Sequence, residues 1–148
     1  MPRTIMPTTW LLLALIAMLA LHLLVPVARI VPRPWQLLGL GPLLVGVAMN
    51  LVADRAFHAV HTSVKPLEAS SILVTDGVFR LTRNPMYVGF VLVLLGVAAL
   101  LRSVTPFAVV VAFAVLMDRG FVAVEERMLA QRFGAEWERY RRRTRRWL

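Results

Sequence analysis

The feature that most constrains this chain is the length of its apolar blocks. The first runs from Thr8 to about Val27 with one polar interruption, His22, and about 20 such residues in a helix cross the ~30 Å of hydrocarbon in a bilayer. Composition agrees. Of 148 residues, 59% fall in the AVILMFWYC set and 17% are charged, with a mean hydropathy of +0.71, against roughly half apolar and a quarter charged in an ordinary globular domain. Lipid is therefore the solvent for most of the fold. The first block is not read as a secretory signal. It exceeds the ~7–15 residues of an h-region, only Arg3 precedes it, and no small-x-small site follows before Arg29.

After the turn Val31-Pro32-Arg33-Pro34, a second block over 35–53 contains Gly39, Gly41, Pro42 and Gly46, small residues that let helix backbones approach closely. A third block spans 86–101 and a fourth 104–124, separated by Arg102-Ser103, with Pro106 just inside the fourth. A link this short makes an antiparallel helical hairpin. The expected fold is all-α: a single membrane domain over 1–148 with about four transmembrane helices (8–27, 35–53, 86–101, 104–124). A loop over 54–85 and a basic, amphipathic interfacial helix over 125–148 complete it. The third block is short for a span, and the fourth reaches full length only by including Asp118 and Arg119, so these charges are expected at the interface.

Lys and Arg fix the expected orientation. One lies in the N-terminal tail, four between Arg55 and Arg83 and nine from Arg119 onward, against two in the first hairpin turn and Arg102 alone in the second. Both termini and the 54–85 loop are expected in the cytoplasm. All but one of the 17 basic residues are Arg, a bias of GC-rich bacterial coding sequence, which makes a bacterial inner membrane the expected location. The polar stretch before the third block and the segment after the fourth then meet on one face, where chemistry is expected.

The chain contains no cysteine, which excludes disulfides, thiolate metal sites and cysteine nucleophiles. No Gly-x-Gly-x-x-Gly follows a strand, so a soluble dinucleotide site is not available. What the shared face does carry is an ordered set. Lys65-Pro66 comes first, then Leu73-Val74-Thr75-Asp76-Gly77-Val78-Phe79-Arg80-Leu81-Thr82-Arg83-Asn84-Pro85-Met86-Tyr87-Val88-Gly89. Later come Asp118-Arg119, Glu125-Glu126-Arg127-Met128-Leu129, Phe133-Gly134, Trp137, Tyr140 and Arg145-Arg146-Trp147. This resembles the isoprenylcysteine carboxyl methyltransferase and phospholipid methyltransferase family of small integral membrane enzymes, over roughly the last ninety residues.

The resemblance implies an S-adenosylmethionine-dependent methyltransferase whose acceptor is lipid-soluble or lipid-anchored, an isoprenylcysteine-like carboxylate among the candidates. It implies cofactor contacts from Arg83, Asn84, Pro85, Tyr87, Glu125 and Tyr140, with Arg119 and Glu126 as catalytic groups. One departure is specific. The family's Arg-His-Pro-x-Tyr reads Arg83-Asn84-Pro85-Met86-Tyr87 here, and Asn keeps a donor and an acceptor but cannot titrate. Methyl transfer from a sulfonium asks mainly for proximity, alignment and dryness, so a chain poor in ordinary catalytic groups suits it. Two other classes share these features: a nicotinamide-dependent membrane reductase of the sterol reductase type, and a non-catalytic lipid-binding membrane protein.

Each candidate also has a plainer role. Arg80 and Arg83 serve as positive-inside anchors, Asn84 and Pro85 as the N-cap and first residue of a helix, and Asp118–Arg119 as an interfacial ion pair. Leu129, Phe133, Trp137 and Tyr140 recur on one helical face and read first as an aromatic belt. The six arginines over 139–146 read as an anchor to anionic lipid, not a nucleic-acid surface. His22 reads as hydrogen-bonded within the bundle, and His58 with His61 lacks a third metal ligand, so no metal is expected.

Overall fold

The computed structural model describes residues 6–25, 27–59 and 72–148; His61 and the Lys65-Pro66 motif lie outside them. Helices dominate: α1 (Pro7–Leu24), α2 (Leu40–Ala59), α3 (Pro85–Leu101), α4 (Thr105–Met117), α5 (Ala123–Phe133) and α6 (Ala135–Arg143). Single 3-10 turns occupy Trp35–Gly39 and Gly77–Arg80. Among the described residues there is no strand, and Arg29 with Ser103 forms an isolated bridge. Proline opens α1, α3 and α4, where its fixed φ suits the first turn and its missing N–H costs nothing.

Three helical stretches are long and apolar enough to cross a membrane: Pro7–Leu24, Trp35–Ala59 and Thr105–Phe133. Pro85–Leu101 is a shorter apolar helix of 17 residues, about 26 Å long at 1.5 Å per residue. It is the centre of the bundle. α2 packs along one side of α3, α4 along the other, and α1 lies against α4. Leu94 and Ala98 of α3, Met18 of α1 and Met117 of α4 are wholly buried in the shared core. The outward faces of α1 and α2 are Leu- and Val-rich and exposed, as expected for helices whose solvent is lipid. The chain is an integral membrane helical bundle.

The α2–α3 contact is a backbone-to-backbone seam. A Cβ placed on Gly46 would stand 2.5 Å from the Gly89 carbonyl oxygen, and one on Gly39 would stand 2.5 Å from that of Gly96. Of the small residues in the second block, Gly39 and Gly46 thus face α3, whereas Gly41 faces open space. Asn50 donates to the Gly46 carbonyl at 2.9 Å one turn further on.

At the end of the bundle away from the motif residues, the two links are stitched together. Ile30 N–H donates to Arg102 O (2.9 Å), Val104 N–H to Ala28 O (3.0 Å) and Arg102 Nε to Val31 O (3.0 Å). His22 Nδ1 lies 2.6 Å from Ser103 Oγ, the intrabundle bond expected of it. Arg102 adopts the left-handed region at φ 68° and terminates α3.

The other end departs from the sequence reading. α2 runs to Ala59, so Asp54, Arg55 and His58 are helical and not part of a loop beginning at 54. The helix that starts at Thr105 passes through a π turn, Asp118–Val122, and continues as α5 to Phe133. Gly134, at φ 48°, breaks it. The segment 125–148 is therefore not one helix: α5 is followed by the nine-residue α6 and a non-helical tail over 144–148.

Candidate active site

The site is built where four segments converge: the end of α2, the turn before α3, α5 with its π turn, and the tail after α6. An aromatic cluster brings them together. Ala53 of α2, Phe79 of the 3-10 turn, and Trp137 and Tyr140 of α6 are buried against one another, with Leu129 and Phe133 packed alongside. Phe57 and Phe79 meet edge to face at 5.2 Å. The Tyr140 hydroxyl donates to Phe79 O at 2.7 Å, and burial pushes its pKa up, with Arg83 opposing. The stripe from Leu129 to Tyr140 is thus an internal joint and not an aromatic belt: Gly134 folds the two halves so that both turn inward, and Trp137 is 2% exposed.

On this joint sits the ion-pair centre. The Arg83 guanidinium lies 5.6 Å above the Trp137 ring and donates to Glu126 Oε1 from Nε (3.0 Å) and Nη2 (2.8 Å). Both side chains are nearly buried, at 8% and 10% exposure, so this pair is hydrogen-bonded as well as charge-matched, the condition under which a buried pair persists. The other carboxylate oxygen, Oε2, accepts from Arg146 Nε at 3.1 Å and from its Nη2. Arg146 Nη1 also reaches Asp118 Oδ1 at 3.4 Å, which accepts from Trp147 Nε1 at 3.0 Å. The bonds to Glu126 hold the Arg146 guanidinium above its usual pKa.

The π turn makes this possible. Asp118 and Glu126 are eight residues apart, about 80° apart around an uninterrupted α-helix at about 100° per residue. One residue absorbed by a π turn brings them to within about 20°, so both carboxylates face Arg146. A second polar contact lies beside this one, with the Tyr87 hydroxyl donating to Glu125 Oε1 at 2.8 Å.

The turn over 82–84 holds the tail by its backbone. Arg83 Nη1 donates to Thr144 O (2.6 Å) and Arg141 O (3.1 Å), and Arg83 N–H to Arg145 O (2.9 Å). Thr82 Oγ1 and Asn84 Nδ2 both donate to Arg146 O at 3.0 Å. Asn84 does sit at the N-cap of α3 with Pro85 after it, but its side chain makes no cap bond. It is spent on the tail, and its own carbonyl accepts the first helical bond, from Val88.

Of the residues singled out in the sequence, the structure brings together Arg83, Asn84, Pro85, Tyr87, Glu125, Glu126 and Tyr140. It leaves Arg119 outside. That side chain is 83% exposed and touches Asp118 at 3.8 Å, while Asp118 turns its other oxygen to the tail. Asp54 and His58 form an exposed pair at 3.6 Å, and among the described residues no group of three or more His, Cys, Asp or Glu is arranged to hold a metal. Thr82, Arg146 and Trp147 stand within the stretches that carry the resemblance, but sequence reasoning assigned them no role in this centre. Nothing in a run of six arginines marks the fifth or sixth as different, and the lipid-anchor reading is corrected for Arg146, which is paired inward.

Residues 35–136, more than two thirds of the chain, match the profile of the phospholipid methyltransferase family. The chain belongs to that family. The matched residues include the Arg83–Tyr87 turn, the seam glycines, Asp118 and the Glu125–Glu126 pair. The cobalt-zinc-cadmium resistance protein CzcN of Cupriavidus metallidurans is 35% identical over 101 residues, 68% of this chain and 44% of the relative. A protein-S-isoprenylcysteine O-methyltransferase of Schizosaccharomyces pombe is 34% identical over 76 residues, 49% of this chain and 31% of the relative. The chain thus spans less than half the length of these curated relatives. No solved structure matches.

The charge pattern suits a zwitterionic ligand that carries both a carboxylate and cationic centres. Glu126 pairs with Arg83 and Arg146, Asp118 with Arg146, and Arg83 lies over Trp137, while Glu125 accepts from Tyr87. A buried guanidinium fixed over an aromatic ring is a carboxylate receptor, and carboxylates beside it are receptors for ammonium or sulfonium.

Proposed function

We propose that this chain is an S-adenosylmethionine-dependent methyltransferase acting on a lipid-soluble or lipid-anchored acceptor. One observation carries the reading: within the family-matched region, Arg83 and Glu126, 43 residues apart in sequence, close into one nearly buried ion pair at the end of the bundle. The bound donor supplies a methyl group already activated by a sulfonium centre. What the chain's own residues do is hold and exclude. Arg83 would hold the donor carboxylate in place of the Arg141 and Thr144 carbonyls that now take its Nη1. Glu126 and Asp118 would face its positive charges, with Tyr87 and Glu125 beside them, and the buried Asn84, Pro85 and Tyr140 would support the site from behind. The aromatic joint beneath keeps water out, as an in-line displacement requires.

An acceptor carboxylate needs no general base, and the name of the fission-yeast relative points to the same acceptor class. Arg119, exposed beside Asp118 and outside the buried centre, would guide an anionic acceptor toward it from the lipid interface. The lysine and arginine asymmetry supports a cytoplasmic position for this face and both termini, and the arginine bias supports a bacterial inner membrane, with the exposed arginines of α6 against anionic lipid.

Separate titrations of S-adenosylmethionine and NADPH into detergent-purified protein test the reading. Saturable binding of the first alone is expected. Binding of NADPH alone moves the chain to the reductase class, and binding of neither removes the catalytic reading.

A further inference from the structure

The segment after α6 lies beyond the family-matched residues 35–136, yet it is tied across the centre of the site. Thr144 N–H donates to Tyr140 O and closes α6; from there the chain is extended, at φ −126° and ψ 134° for Thr144. The carbonyls of Thr144, Arg145 and Arg146 are all taken by donors of Thr82, Arg83 and Asn84. Two side chains then reach into the acidic side: Arg146 to Glu126 and Asp118, and Trp147 to Asp118.

The two arginines on Glu126 are not equivalent. Arg83 owns Oε1 and is 8% exposed, pinned by two carbonyls and the Trp137 ring. Arg146 owns Oε2 and is 39% exposed, a pairing open to solvent screening and exchange. Groups suited to a donor's carboxylate and cationic centres are therefore engaged by the chain itself: backbone carbonyls on Arg83, and a guanidinium on Glu126 and Asp118.

We propose that residues 144–147 are a strap across the site with Arg146 as its pin, and that a cationic ligand gains Glu126 and Asp118 by displacing the Arg146 guanidinium. The nature of the ligand rests on the donor reading above; the existence of the strap does not. The turn over 82–84 grips the strap by its backbone carbonyls, and Arg146 and Trp147 are the two side chains that fasten it to the acidic side. Displacement trades one cation for another on the same carboxylates, so the buried Glu126 keeps a partner throughout, and the strap works as an intramolecular competitor.

The chain contains no cysteine, so a thiol introduced by Thr144→Cys, at a position 7% exposed, reports the strap alone. In the full-length protein in detergent, alkylation by N-ethylmaleimide should be slow. Adding Arg146→Gln or, independently, Asp118→Asn should speed it at least tenfold, whereas Arg142→Gln should not. An unchanged rate in both Arg146→Gln and Asp118→Asn overturns the strap.

In the second arm, S-adenosylmethionine should bind the Arg146→Gln protein at least tenfold more tightly than the parent, and should accelerate alkylation of the parent thiol. Equal or weaker binding to Arg146→Gln overturns the competition, since Arg146 would then be a ligand contact. No binding to either chain overturns the donor reading, and the alkylation rates alone then decide the strap.

Discussion

Replacing Glu126 by Gln removes one charge at nearly constant shape and tests whether the Arg83–Glu126–Arg146 centre holds the site together. The Arg83 arm is nearly buried, 8% against 10% exposed, and hydrogen bonds to a charged group contribute about 1.5–3 kcal/mol. The Arg146 arm is 39% exposed and, discounted for screening, adds about 0.2–1 kcal/mol. Glutamine keeps one acceptor but turns an N–H donor toward a guanidinium, while Arg83 retains its bonds to Arg141 O and Thr144 O. The expected loss is therefore about 2–4 kcal/mol, less than the complete removal of a partner from a fully buried pair. Equilibrium unfolding in mixed micelles, followed through tryptophan fluorescence, measures it. A double-mutant cycle with Arg83→Met isolates the pairwise term. A loss below about 0.5 kcal/mol, or a coupling near zero, would refute the claim that this pair fastens α5 to the turn before α3.

Four further outcomes follow from the same geometry. Arg83→Ala should weaken S-adenosylmethionine binding at least tenfold, about 1.4 kcal/mol, in isothermal titration of protein that remains folded; unchanged affinity puts the pocket elsewhere. Asn84→His should leave donor affinity within a few-fold, because the position acts through a hydrogen bond, while Asn84→Leu, which loses the donor to Arg146 O, should alter affinity and raise alkylation of the Thr144→Cys thiol; a leucine variant unchanged in both measurements reduces Asn84 to a helix start. Gly46→Leu should cost about 1–3 kcal/mol by overpacking in the same micelle assay, since its Cβ meets backbone of α3; a neutral result would show that the α2–α3 seam yields. Reporter fusions at the C-terminus and near Lys65 should report cytoplasm and one at Arg102 the outside; the opposite pattern reverses the face on which the site lies.

Much of this protein is determined by its sequence alone, because lipid leaves few choices. Backbone groups in hydrocarbon must be satisfied within their own segment, so apolar runs of this length become helices, and Pro7, Pro85 and Pro106 mark where they begin. The order of the motif residues, separated by a hairpin that returns the chain to its starting face, was enough to bring Arg83, Tyr87, Glu125 and Glu126 to one end. The glycines at 39 and 46 announced a close helix contact, though not that Gly89 and Gly96 would complete it.

What tertiary structure decided is everything that depends on a rotation or on a long-range choice among equivalent residues. The π turn at Asp118–Val122 leaves no period in an apolar sequence, yet it turns Asp118 to the side of Glu126. A break at Gly134 converts an apparent membrane-facing stripe into a buried joint, because two short helices can direct inward what one long helix would spread along its face. Arg146 is chemically identical to its neighbours in the arginine run. Position alone, set by three carbonyls that the turn over 82–84 can grip, makes it the cation that meets Glu126 and Asp118.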